Sequence, residues 1–286
     1  MLMDHIGEFF PDSPIWFGWL GRLAAPLFVY ALAVGFHHTR NRKKYLLRLY
    51  LANVGMIFFN QIMHILQRKL DYVVYEPTNH NIFTTLFCAG VLICIWENRK
   101  EKKKFLTYIG IYIFWQAMLI KLAILVETYD YLWYGNARLE TVLRTDYIFP
   151  LLGGIWDVEG GVFFIALGVC LYCAVEDRWK LTLYYILFCG TYLLMCEGDI
   201  LYRIMNRFSF WGYHKLADII YVGSWSTGIP LGTSDLSLLT EFYQWMMIGA
   251  LPIMLACNGK RGKSLKWLFY AAYPLQFLVL YGISYY

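Results

Sequence analysis

The stretch GWLGRLAAPLFVYALAVGFHHTRNRKKYLLRL, Gly18 to Leu49, decides the fold, because an apolar run with a single arginine empties into a dense basic turn. Leu20 to Phe36 holds one charge, Arg22, and with its flanks is long enough to cross a hydrocarbon core of about 30 Å as a helix. An arginine in such a span faces protein or water rather than lipid. At about 100° per residue, Arg22 and Arg40 share one helix face with Pro26, Val29 and Ala33 between them, and a rise of about 1.5 Å per residue sets them roughly 27 Å apart. The sequence therefore predicts one continuous helix with an arginine at each membrane surface. His37, His38, Arg40, Arg42, Lys43, Lys44 and Arg48 follow, and the positive-inside rule puts that cluster in the cytoplasm. The start of the helix then lies outside.

Working outward, the composition describes the same kind of protein. With 59% hydrophobic and 19% aromatic residues and only 16% charged, the 286-residue chain is no ordinary soluble domain. Eight apolar segments have adequate length, at about 18–37, 45–66, 80–96, 105–126, 157–175, 179–197, 239–257 and 265–286. No repeat or low-complexity linker divides them, so residues 1–286 read as a single all-α polytopic helix bundle of about eight spans. The turns after the first, third, fifth and seventh segments hold five, five, two and four Lys or Arg, sixteen of the twenty-five. Those turns are the cytoplasmic ones. Sixteen of the twenty acids, from Asp4, Glu8 and Asp12 to Asp235 and Glu241, fall on the other side, and both termini face outward. The location is a cell membrane, crossed several times, with lipid as an obligatory partner and no nucleic acid implied.

The remaining polar residues separate by position. The seven cysteines all lie in or at the ends of apolar segments and read as small buried hydrophobes. Cys170 and Cys173 form a CxxC, but no second pair accompanies it at zinc-like spacing, and no metal is assigned. Asn53, Asn60, His64 and Gln67 share one side of the second segment, where polar side chains tie membrane helices together. Gly198 to Leu238 is too long for a plain connection and has no clean apolar run of 18 residues, so an interfacial or re-entrant element is expected.

Several motifs carry a family resemblance. GRLAAPLF followed by GFHHTRNRKKYLLRL resembles the TraX family, integral-membrane acetylases named for the enzyme that acetylates the N-terminus of F-type conjugative pilin. Met3-Asp4-His5-Ile6-Gly7 resembles the family's MxDHIG, and Asn81-Ile82-Phe83-Thr84 its NxxFT. The run QWMMIGALPIMLACNGKRGKSLKWLFYAAYPLQ, residues 244–276, resembles its closing QW…LP…NGKRG…FYxxYPxH. Between about Val126 and Leu238 little matches beyond Asp157 and Gly160. A family member has a complete apolar helix before the DHIG motif, which would make nine spans, and where the family has histidine after YPx this chain has Gln276. The family is in turn similar to the wider superfamily of membrane acyltransferases that use acetyl-CoA on sugars.

The resemblance implies an acetyl-CoA-dependent acyltransferase acting on an extracytoplasmic peptide N-terminus or glycan. Read from the residues alone, a histidine near a chain terminus is incidental; the resemblance makes His5 the general base, a task suited to a side chain whose pKa lies near working pH. Asp4 is then its possible partner, and Arg22 stabilises negative charge developing at the thioester carbonyl. The donor is a polyphosphate, so Arg40, Arg48, Asn258, Lys260 and Arg261, in matched motifs on the basic side, are the expected coenzyme ligands. Topology alone accounts for Lys43 and Lys44, and His37 and His38 read as cations at a helix C-terminus. Asn81, Thr84, Asp157, Tyr273 and Gln276 are the expected acceptor residues. A transporter or a membrane protein that binds an exported peptide has the same topology, polar stripe and buried arginine, and is the alternative.

Overall fold

Two prolines break what periodicity reads as continuous helices. In the computed structural model, α1 (Leu2–Phe9) is followed by α2 (Trp16–Gly21) and α3 (Ala24–His38), with a turn at Arg22 and Leu23 between the last two. Pro26 has no N–H to give the Arg22 carbonyl, so the helix ladder is interrupted where the arginine sits. Helix α3 then ends at His38, Thr39 is extended and Arg40 lies in an exposed bend. Arg22 and Arg40 are therefore not two points on one continuous helix face: one occupies a joint and the other lies past the helix end. Pro26, Val29 and Ala33, the residues expected between them, are buried.

The chain continues through α4 (Arg42–Lys69), α5 (Ile82–Glu97), α6 (Lys102–Leu132), α7 (Thr145–Leu151), α8 (Gly161–Ala174) and α9 (Arg178–Glu197). A 3-10 turn (Gln244–Gly249) leads into α10 (Ala250–Ala256), and α11 (Lys266–Ser284) closes the order. The tight turn precedes Pro252, which cannot bond the Ile248 carbonyl. The structure describes residues 1–10, 12–69, 81–132, 145–155, 158–197, 207, 239–240, 243–257 and 266–284, and among these there is no strand. Asp157, Asn258, Lys260, Arg261 and, apart from Arg207, the segment 198–238 lie outside the described residues.

Among the described residues each of the eight apolar segments contains helix, and length and hydropathy together admit four of these helices as spans: Trp16–His38, Arg42–Met63, Ile82–Lys100 and Lys102–Leu122. Gly161–Ala174, Gln244–Ala256 and Leu268–Ser284 are apolar and shorter. The segment expected from residue 157 begins its helix only at Gly161, after Gly160, whose φ of 76° favours glycine.

The core is built from α3, α5 and α8. Val29, Ala33 and Phe36 meet Ala89 and Ile93 of α5 and Ile165 and Leu171 of α8, all buried. A methyl group on Gly168 would stand 2.8 Å from Cβ of Ala89, so the α5–α8 approach depends on glycine, as small residues permit between membrane helices. Polar groups fasten the surrounding helices. Buried Asn53 of α4 donates to the Pro150 carbonyl at 2.7 Å, the tying role its stripe suggests. Gln116 of α6 donates to the Gly153 carbonyl at 3.0 Å and accepts from Ile155 N at 3.1 Å. Otherwise α6 shows Ile111, Ile113 and Phe114 to its surroundings, as a peripheral helix in lipid does.

Candidate functional site

The site starts at α1, whose residues at i and i+4 face α11 while its other side faces α2. His5, 2% exposed, packs its ring 4.4 Å from that of Phe277 and 6.3 Å, edge-on, from Tyr273. Phe9, one turn on, packs 4.9 Å from Tyr281. Tyr273, Phe277 and Tyr281 recur every four residues and so present one aromatic face of α11. The contact puts His5 beside the middle of that helix rather than at its outer end.

Asp4 points the other way. Its Oδ1 accepts from Nη2 of Arg22 at 2.8 Å, and a side chain at Gly21 would overlap the carboxylate, so glycine is what lets α1 approach α2. Arg22 also donates through Nη1 to Oε1 of Gln244 at 3.1 Å and lies 5.4 Å over the ring of Tyr243. Its Nε is buried and has no hydrogen-bond partner among the described residues. An N–H held in place and left open is a donor for a charge that arrives with a substrate. Asp4, expected beside His5, thus serves first to hold Arg22.

Tyr273 links His5 to a second carboxylate. Its hydroxyl donates to Oε2 of Glu159 at 2.8 Å and accepts from Ile82 N at 3.4 Å, at the start of α5. Asn81 and Thr84, at the same helix start, are both buried and both bond Oδ1 of Asn53 at 2.7 Å. These two expected acceptor residues therefore join α4 to α5, while Tyr273 is brought to His5. Gln276 lies three residues after Tyr273, with a buried Nε2 that has no partner among the described residues.

Glu159, Tyr243, Gln244 and Phe277 belong to this site without having been singled out from sequence. Two of the four carry a signal in the sequence: Gln244 opens the closing motif, and Glu159 stands between Asp157 and Gly160.

At the basic end the cations divide by what they touch. Arg40 is exposed, and Arg48 donates to the Lys44 carbonyl at 3.3 Å and lies 5.6 Å over the Tyr45 ring. Arg42 is the cation that builds structure. It donates to the Phe36 and Thr39 carbonyls at the end of α3 and pairs with Glu97 of α5 at 2.9 Å. Glu97 also accepts from the Tyr172 hydroxyl at 2.6 Å, and His37 stacks on Tyr172 at 4.4 Å. Four helices are thereby latched at one end. No group of three His, Cys, Asp or Glu is placed to hold a metal among the described residues.

A protein-family model described as TraX protein matches residues 1–192, about two thirds of the chain. No curated protein and no solved structure matches. By that match the chain belongs to the TraX family, and the closing motif of residues 244–276 lies beyond the matched stretch.

Proposed function

We propose that this TraX-family protein is a membrane-embedded acetyltransferase, moving an acetyl group from cytoplasmic acetyl-CoA to an extracytoplasmic peptide N-terminus or glycan. The observation that carries the reading is that neighbouring residues of α1 hold both groups, His5 buried against α11 and Asp4 tied to Arg22, whose buried Nε has no partner among the described residues. A base and a fixed cation are what acyl transfer asks for. An amine or hydroxyl of the acceptor attacks the thioester carbonyl while His5 takes its proton. Negative charge on the carbonyl oxygen is met by Arg22, the carbon–sulfur bond breaks, and the departing thiolate takes the proton from the His5 imidazolium. Asp4 and Gln244 keep Arg22 in place, and Tyr273 with Glu159 supports the ring wall beside His5.

The direct test is to incubate the protein in nanodiscs with acetyl-labelled acetyl-CoA and a membrane extract. Label passes to a peptide or glycan in the extract and is absent without the protein. If acetyl-CoA and acceptor both bind and no label moves, the chain is an exported-peptide-binding or transport protein instead, in keeping with Gln276 where the family has histidine.

Orientation follows from the sixteen basic residues in alternate turns. With the exposed Cys170, Cys173 and Cys257 changed to serine, a cysteine at Asp12 reacts with a membrane-impermeant thiol reagent in whole cells. One at Lys103 does not. The reverse labelling pattern turns the proposed direction of transfer around.

A further inference from the structure

At the basic end, between the end of α3, the turn from α8 to α9 and the end of α10, lies a cavity of about 350 Å³. It falls at the lower end of the roughly 300–1,000 Å³ typical of small-ligand pockets, room for a flexible arm and not for a whole nucleotide coenzyme. Its inner wall is apolar, with Val34, Leu181 and Met254, and His37, His38 and Arg178 stand around its polar side. Glu176, the acid in this lining, is tied to Nδ1 of His37 at 3.2 Å. Arg178 is exposed and has no acid partner among the described residues, because neighbouring Asp177 pairs with Lys180 instead. Asp177 also caps α9 by accepting from the N–H groups of Lys180 and Trp179, which holds its carboxyl below the usual range and fixes where the helix, and Arg178 with it, begins. The cavity thus joins an open guanidinium to an apolar slot.

Two elements run from this cavity to the His5 site. Helix α3 begins beside Arg22 and carries Val34 and His37 to the cavity, Val34 lying about 15 Å along its axis from Ala24 by the helical rise. The other element starts at Gln244, bonded to Arg22, and ends with Met254 and Cys257 on the cavity wall.

We propose that this cavity is the entry site for the phosphate-bearing pantetheine arm of the acyl thioester, with Arg178 on the phosphate and the arm lying against Val34 and Met254. The proposal rests on the acetyltransferase reading and adds to it a site outside the motifs that suggest that reading. A guanidinium beside apolar side chains in one cavity suits a phosphate ester with a flexible tail, and the lipid phosphate that shares this chemistry is separated by experiment.

Cys257, exposed and on the cavity wall, is the reporter. The wild-type protein, in nanodiscs of phosphatidylcholine with or without phosphatidylglycerol, is alkylated with N-ethylmaleimide with and without desulfo-CoA, and each cysteine is followed by mass spectrometry. Desulfo-CoA slows alkylation of Cys257 several-fold in both lipid mixtures and leaves the exposed Cys170 and Cys173 unchanged. Arg178→Glu, in a solvent-facing turn, and Val34→Trp, which fills the slot, each raise the dissociation constant for desulfo-CoA about tenfold or more. Desulfo-CoA that binds without protecting Cys257, or that binds both variants as it binds wild type, overturns the cavity assignment and leaves the acetyltransferase reading standing. Protection by phosphatidylglycerol alone gives the site to a lipid phosphate. No binding of desulfo-CoA to the wild type removes both readings.

Discussion

His5→Ala lowers the rate of acetyl transfer by about 10² to 10⁴, the range a general base contributes, while acetyl-CoA binds as before. The separation of the two effects follows from position. His5 sits against Phe277 and Tyr273 beside the middle of α11, whereas the cavity lined by His37, His38 and Arg178 lies at the basic end. Truncation removes the proton acceptor and opens a small space beside two aromatic rings, so a control for packing is needed. His5→Phe refills the space without a titratable nitrogen and is as inactive as His5→Ala, while the thermal midpoint in detergent stays near wild type. The closing motif adds a second arm: Gln276→His puts a titratable ring where a buried side-chain donor has no partner among the described residues, and activity is kept or raised. If His5→Ala retains more than about a tenth of the rate, the loss is smaller than a base supplies and the proton goes elsewhere. If Gln276→His then rescues His5→Ala, a ring at the closing motif can take the proton in its place.

What sequence revealed and what it hid divide along the distance between interacting residues. Helices were legible because an apolar run long enough to cross lipid has few alternatives, and among the described residues each of the eight runs contains helix. The break at Arg22 was also written locally, in Pro26, but face arithmetic over residues 22–40 assumes an uninterrupted ladder and passes over it. The site was legible only as its two halves. Asp4, His5 and Arg22 stand in short motifs, but Arg22 meets Gln244 across 222 residues and Tyr273 meets Glu159 across 114, and nothing in spacing encodes such meetings. The basic turn shows a further limit. Its cations are interchangeable for topology, so composition could not single out Arg42 as the one that caps α3 and pairs with Glu97. Likewise Asn81 and Thr84 were readable as a motif, and their shared bond to Asn53 was not, since that requires knowing which side of α4 faces α5.

Arg22→Lys separates the arginine's electrostatic duty from its geometric one, and it loses about 10²- to 10³-fold in kcat, the cost of removing one oriented donor from an oxyanion site. Lysine keeps the positive charge and can still meet Asp4, but its compact ammonium cannot reach Asp4, Gln244 and a substrate oxygen in the fork that a guanidinium spans. The ion pair survives, so the protein stays folded and KM changes little. Arg22→Ala differs in kind. It leaves the Asp4 carboxylate, held in place through Gly21, without its cation, at a cost of about 1–3 kcal/mol for the stranded group. That variant is both inactive and less stable, and Asp4→Asn in the same chain recovers the stability without the activity. A stable Arg22→Lys protein with unaltered kcat reduces Arg22 to a strut between α1 and the 3-10 turn. Loss in Arg22→Lys without recovery by any Asp4 substitution places the guanidinium's open Nε at the carbonyl oxygen, where charge develops only in the transition state.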